Sequence, residues 1–198
     1  MNENPEKLII ENIPTQEQLS AELKSIRYRK EFRKLLGSTI ASLLVVAAVA
    51  VLISLLFLPV LRVTGSSMTP TMNNDELIIC SKLSDFKTGD IVAFYYNNKI
   101  LLKRVIGVAG DYIDIQEDGT VYLNGEPLDE PYVNELALGE CDIELPYQVP
   151  DNRIFVMGDH RSVSIDSRST TVGCVSDEFV IGRVFMRIWP LKEIGLFE

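Results

Sequence analysis

Two serines, one lysine and one histidine are the residues whose types and settings suit nucleophilic chemistry. Ser66 and Ser67 lie in Val63-Thr64-Gly65-Ser66-Ser67-Met68-Thr69-Pro70-Thr71, a bend of small residues. A serine hydroxyl is a weak nucleophile at neutral pH and needs a neighbouring base to take its proton. His160 is the only histidine, so a Ser-His-Asp arrangement would have to use it. Lys103 is the other candidate base. It sits in Ile100-Leu101-Leu102-Lys103-Arg104-Val105-Ile106, a strand-like run that is apolar on both sides of the Lys-Arg pair. Desolvation lowers a lysine pKa, and the adjacent Arg104 is expected to lower it further, which would leave Lys103 able to accept a proton. Arg104 could not do this, because a guanidinium stays protonated. Each feature also has an ordinary alternative when taken alone. Clusters of Gly, Ser, Thr and Pro commonly form plain loops, and a Lys-Arg pair on an edge strand can reach water with both side chains.

These residues need elements to carry them, and the most prominent lies just upstream. Gly37-Ser-Thr-Ile through Leu61 is a stretch without a single charge. As a helix its length is roughly 37 Å, more than the ~30 Å hydrocarbon core of a bilayer. A cleavable leader would have a short charged start and an apolar run of only ~7–15 residues; here a long polar segment comes first. The stretch therefore reads as a transmembrane anchor over residues 37–61. Lys24, Arg27, Arg29, Lys30, Arg33 and Lys34 crowd its N-terminal flank, while Arg62 is the only early cation beyond it. The positive-inside rule then places residues 1–36 in the cytoplasm and residues 62–198 across the membrane. About the first twenty residues read as a loose polar tail, and residues 20–36 as a basic amphipathic extension of the anchor.

Beyond the anchor, short apolar runs alternate with turn signals. Glu76–Cys80, Ile91–Tyr96, Ile100–Val108, Tyr112–Gln116, Val121–Leu123, Ile154–Met157 and Val180–Ile188 are rich in Val, Ile, Tyr and Phe and read as strands. Asn97-Asn98, Glu117-Asp118-Gly119 and Asn124-Gly125 suit tight corners between them. The expected fold class is mostly β, one extracytoplasmic β-rich catalytic domain on one N-terminal transmembrane helix. Asp129 to Pro150 is polar, loop-like and hard to place. From Arg62 onward there are twelve Lys/Arg against twenty-two Asp/Glu, which argues against nucleic acid as a partner, since that binding rests on neutralising phosphates. Cys80, Cys141 and Cys174 read as small buried hydrophobes more readily than as a disulfide with an odd thiol.

Four segments in order resemble the bacterial type I signal peptidases. Ser67-Met68-Thr69-Pro70-Thr71 is similar to their nucleophile motif, and Gly89-Asp90-Ile91-Val92 to the box that follows. Lys103-Arg104-Val105-Ile106-Gly107-Val108-Ala109-Gly110-Asp111 resembles the box of the general-base lysine. Gly158-Asp159-His160-Arg161-Ser162-Val163-Ser164-Ile165-Asp166-Ser167-Arg168 resembles the Gly-Asp-Asn-Arg-x-x-Ser-x-Asp-Ser-Arg box. Together with Gly182-Arg183-Val184 through Arg187-Ile188-Trp189-Pro190-Leu191, the resemblance covers roughly residues 37–191.

The resemblance implies a protease that removes signal peptides from exported preproteins, recognising small residues at P1 and P3 beside the lipid bilayer. It implies Ser67 as nucleophile and Lys103 as base, with the Ser67 N–H in the oxyanion hole. Ser164 matches a serine that orients the lysine, and Asp159, Asp166 and Arg168 match residues that hold their box together. No metal or cofactor is expected. Val63, Met68 and Leu102 flank the dyad in sequence and are candidates for the apolar substrate floor, or else ordinary core. Two positions depart from the pattern. Gly65 stands where some members have an oxyanion-hole serine and many Gram-positive members also have glycine, and His160 stands where asparagine is usual. A specialised relative for pilin or fibre assembly and a non-catalytic membrane-anchored binding module remain as alternatives. Self-cleaving repressors share a Ser-Lys dyad on a β domain but have no anchor.

Overall fold

The computed structural model describes residues 14–82 and 86–197, so most of the expected polar tail lies outside the described residues. The chain divides into two compact units, residues 1–52 and 53–198. Helix α1 (Gln16–Phe57) is continuous, and none of its residues is buried. Leu44, Val46 and Leu55 are each about two-thirds exposed (65, 66 and 70 %). A soluble core helix would hide such a stretch; one that is apolar all round and uncovered fits a lipid environment. By length and composition α1 can cross a membrane once.

The helix includes the basic extension expected over residues 20–36 and begins slightly before it, at Gln16, and it stops at Phe57 where Leu61 was expected. Pro59 explains the early stop, because proline cannot donate a helical hydrogen bond and disfavours the α conformation in the residue before it. Val60 and Leu61 instead enter the sheet.

Among its described residues the second unit carries twelve strands: β1 (Val60–Arg62), β2 (Leu77–Ser81), β3 (Ile91–Tyr96), β4 (Lys99–Gly107), β5 (Tyr112–Ile115), β6 (Val121–Leu123), β7 (Glu126–Pro127), β8 (Tyr147–Gln148), β9 (Arg153–Met157), β10 (Val175–Ser176), β11 (Val180–Trp189) and β12 (Gly195–Leu196). The large sheet runs β1-β2-β11-β3-β4-β9-β10, with β12 also paired to β11, and the small one runs β7-β6-β5-β8. All seven expected strands are present. The five others have two or three residues each, too short to show a period of two. Strand β3 shows why the central runs read as unbroken apolar stretches. Ile91 and Ala93 join one buried cluster, and Val92 and Phe94 join another on the opposite face.

The segment from Asp129 to Pro150 has little regular structure beyond β8, yet its first half is fastened to the site. Arg161 Nη1 donates to Glu130 Oε2 at 2.9 Å, and Arg168 Nη1 donates to the Leu138 carbonyl at 2.7 Å. The Tyr132 ring lies 3.7 Å under the Arg104 guanidinium. These partners are far away in sequence, which is why the segment could not be placed from its own residues. The three cysteines are unbridged. Burial pushes the Cys80 thiol up to about 12 and the Cys174 thiol to about 11, so both behave as packing residues.

Candidate active site

The loop from β1 to β2 is closed at its base by backbone bonds, Val63 N–H to Glu76 O at 2.8 Å and Asp75 N–H to Val63 O at 2.9 Å. Gly65 takes φ +91, a conformation that side-chain-bearing residues rarely adopt, and so starts the turn. Thr69 N–H to Ser66 O (3.1 Å) and Met72 N–H to Met68 O (2.9 Å) close it. Met68 and Met72 are buried in the core cluster beneath, which anchors the turn and fixes where Ser67 lies. Of the two serines, Ser67 is the one at the lysine: its Oγ is 2.7 Å from Lys103 Nζ. Among the described residues the Ser67 N–H has no acceptor, so it is available to a developing oxyanion.

Lys103 and Arg104 are both buried, and successive strand residues point to opposite faces. Lys103 goes to Ser67. Arg104 goes to Asp159, bidentate at 2.9 and 2.7 Å, and to the Gly89 carbonyl. Burial lowers the Lys103 pKa from 10.5 to about 8; Asp166 and Asp159 pull it back up, and Arg168 pushes it down. The expectation that Arg104 would supply the depressing charge is therefore corrected. Its guanidinium faces the other way and is neutralised by Asp159, so the cation acting on Lys103 is Arg168.

The other expected residues form the frame around this pair. Asp166 accepts from Arg168 Nε at 2.8 Å and from the Gly158 N–H at 2.9 Å. Asp159 also accepts from the Thr71 hydroxyl, tying the nucleophile turn to the same box. Ser164 is buried and packs so closely on Gly158 that a Cβ there would lie 2.2 Å from its Oγ and 2.5 Å from the Ser67 carbonyl oxygen. That Oγ has no hydrogen-bond partner among the described residues. Val63, Met68 and Leu102 line, with Ser67 and Lys103, one cleft of about 670 Å³. Strand β4 pairs with β9 only from Arg104 onward, so Lys99 to Lys103 keep a free backbone edge on the cleft.

His160 sits beside the nucleophile turn and is hydrogen-bonded to it through Nδ1. Thr69 Oγ1 donates to Ser66 O at 2.8 Å. His160 Nδ1 lies 2.9 Å from that hydroxyl oxygen and 3.3 Å from Ser66 O. With the Thr69 hydrogen given to Ser66 O, the tautomer with hydrogen on Nδ1 satisfies both contacts. An asparagine amide could make a similar contact, since it carries both donor and acceptor atoms. Sequence reasoning missed Arg187, whose Nη2 donates to the Thr71 carbonyl at 2.7 Å and whose Nε is 3.0 Å from Glu76. No local pattern could have flagged a partner so distant in sequence. Among the described residues no group of three His, Cys, Asp or Glu could hold a metal.

A serine hydroxyl on a buried, easily deprotonated amine, at the end of an open cleft, is the equipment of a serine peptidase. Comparison with known proteins narrows the class. A family model described as signal peptidase, peptidase S26, matches residues 36–189, and the chain belongs to that family. It is 32% identical over 183 residues to signal peptidase I U of Bacillus subtilis, covering 86% of this chain and 96% of that one. It is 37% identical over 146 residues to a probable signal peptidase I-2 of Synechocystis, covering 68% of this chain and 64% of the relative. A solved signal peptidase I from Enterococcus faecalis aligns at 29% identity with a TM-score of 0.43, covering 52% of this chain and 98% of that one.

Ser67→Ala is expected to abolish peptide-bond cleavage and Ser66→Ala to retain it; the reverse result would move the nucleophile. Lys103→Arg and Lys103→Met should both be inactive, since neither can accept the proton. Stability separates them. A pKa lowered from 10.5 to about 8 costs the folded state about 3 kcal/mol wherever both states are protonated, below pH 8. Wild-type stability therefore rises from about pH 8 to 10.5, and Lys103→Met should match or exceed it in denaturant at pH 7, with the difference shrinking at pH 10. His160→Asn should retain near-wild-type activity because the amide can replace the Nδ1–H bond. A loss of about a thousandfold would instead make His160 the base.

Proposed function

We propose that this chain is a signal-peptide-removing endopeptidase in which Ser67 attacks and Lys103 acts as base. The observation that carries this reading is the 2.7 Å contact between Ser67 Oγ and the buried Lys103 Nζ. Neutral Lys103 takes the hydroxyl proton as Oγ adds to the scissile carbonyl. The resulting oxyanion meets the Ser67 N–H, an interaction worth several kcal/mol in a water-poor site. Lys103 then delivers its proton to the leaving amine, and the signal peptide remains as an ester on Ser67. A water molecule, deprotonated by Lys103, cleaves that ester and restores the hydroxyl. The resemblance assigns Ser164 to orient the amine; its buried Oγ makes no hydrogen bond among the described residues of the free site, and Asp159, Asp166 and Arg168 position the segment that carries it.

Substrate selection follows from the cleft. An extended peptide lies along the free edge of β4, with alternate side chains directed at the floor made by Val63, Met68 and Leu102. Val63 and Met68 are only 3 % exposed and belong to the packed core, so the floor is shallow and suits small side chains at P1 and P3. The anchor keeps the enzyme at the bilayer, where a signal peptide's apolar segment leaves its cleavage site. The exposed cations at Lys24 to Lys34 hold the N-terminal side in the cytoplasm, and the catalytic domain lies outside.

The direct test is incubation of the purified full-length chain, in detergent or lipid, with a preprotein bearing an Ala-x-Ala site. One cut after the second alanine, lost in Ser67→Ala, is expected; an intact preprotein would overturn the reading. Protease added to intact protoplasts should degrade residues 62–198 and spare the N-terminal segment. Protection of the catalytic domain would overturn the topology.

A further inference from the structure

The cleft accounts for residues before the cut, and a second, smaller pocket lies on the other side of the nucleophile turn. It has a volume of about 250 Å³ and is lined by Thr69, Pro70, Asn134, Glu135, Asp159 and His160. We propose that this pocket receives one of the first residues of the departing chain, P1′ to P3′, and favours a cationic side chain there through Glu135. The proposal rests on the proteolytic reading above and adds a specificity on the leaving side.

Position is the first reason. The large cleft is bounded by the Val60–Met68 side of the turn and the Asn98–Lys103 side of β4. A peptide filling it with its scissile carbonyl at Ser67 Oγ leaves the cleft at the nucleophile turn, which both pockets share. His160 is joined to that turn by its backbone N–H to Ser67 O (3.1 Å) and by its ring to Thr69. Thr69 and Pro70 follow Ser67 closely in the same turn, so the first residues after the cut, each advancing about 3.3 Å when extended, pass beside them.

Chemistry is the second reason. Of the charged groups at the pocket, Asp159 is buried and engaged by Arg104 Nε and Nη2 and by the Thr71 hydroxyl. The neighbouring Arg161 is consumed by Glu130. Glu135 is exposed and makes no ion pair among the described residues. His160 Nδ1 is committed to Thr69 and Ser66, so Nε2 is the ring atom left for a ligand. The pocket therefore offers a carboxylate, an imidazole nitrogen and the Asn134 amide. That set welcomes Lys or Arg, tolerates Gln, and repels Asp or Glu. Since Glu135 is exposed, the effect is modest, a few-fold per charge.

The test measures kcat/KM of the full-length enzyme in detergent at low salt. The substrates are preprotein peptides that differ only in carrying Lys, Gln or Glu at P1′, P2′ or P3′. The expected result is a Lys-over-Glu preference of about threefold or more at one of the three positions. Glu135→Gln should bring that ratio close to one, and Glu135→Lys should invert it. Each ratio is taken within one variant, so loss of folded protein cancels. Equal rates for Lys and Glu at all three positions, or a preference that survives Glu135→Gln, would overturn the proposal while leaving the protease reading intact. Failure of wild-type enzyme to cut any of the peptides would overturn the protease reading and this proposal with it.

Discussion

On the proposed mechanism the amine of Lys103 must be able to lose its proton at a working pH while two carboxylates, Asp166 and Asp159, lie close enough to pull its pKa upward. Burial is the largest influence and Arg168 adds to it; together they prevail because each carboxylate is already satisfied. Asp166 is gripped by Arg168 through Nε and Nη2, and Asp159 by Arg104 through Nε and Nη2. Remove either arginine and an uncompensated buried anion would face the lysine, favouring the ammonium form and disabling the base. The arginines thus protect the chemistry indirectly, by neutralising the carboxylates that organise the site.

The same pairs explain how a loop-rich region is held rigid without regular structure. Arg168 spends its remaining donors on the carbonyls of Ala137, Leu138, Arg161 and Ser164. Arg161 takes Glu130, and Arg104 stacks on Tyr132. A nucleophile turn anchored below by Met68 and Met72 is fastened from the side through Thr71, by Asp159 on one hand and Arg187 on the other. Buried charges of this kind gain little net stability over apolar packing, but breaking one partner is costly. They are better understood as fixing one geometry, in which Oγ and Nζ stay 2.7 Å apart.

Much of this was legible in the sequence, and the limits have physical causes. The uncharged stretch after Leu36, the long strands and the serine bend carry their signals locally, through composition, a period of two and turn chemistry. Ser67 and Lys103 are joined by a fold-level contact that only their resemblance to known boxes could anticipate. Arg104 was assigned the wrong electrostatic role because adjacency in sequence was taken for adjacency in space; alternation along β4 sends it to the opposite face. Arg187, Glu130 and Tyr132 act through partners in other elements and left no local trace. Pro59 was visible, yet the apolar run outweighed it, and the helix end was set four residues too late.

The central claim is that a neutral Lys103 is the base, and the pH dependence of kcat/KM for preprotein cleavage tests it most directly, because that ratio reports groups titrating in the free enzyme. With burial holding the amine near 8, the rate should rise tenfold per pH unit on the acid side and level off with a midpoint near pH 8. A midpoint at about 6.5 that disappears in His160→Asn would identify the imidazole instead. A rise continuing toward about 10.4 would show a lysine that burial has not prepared, and would contradict the account.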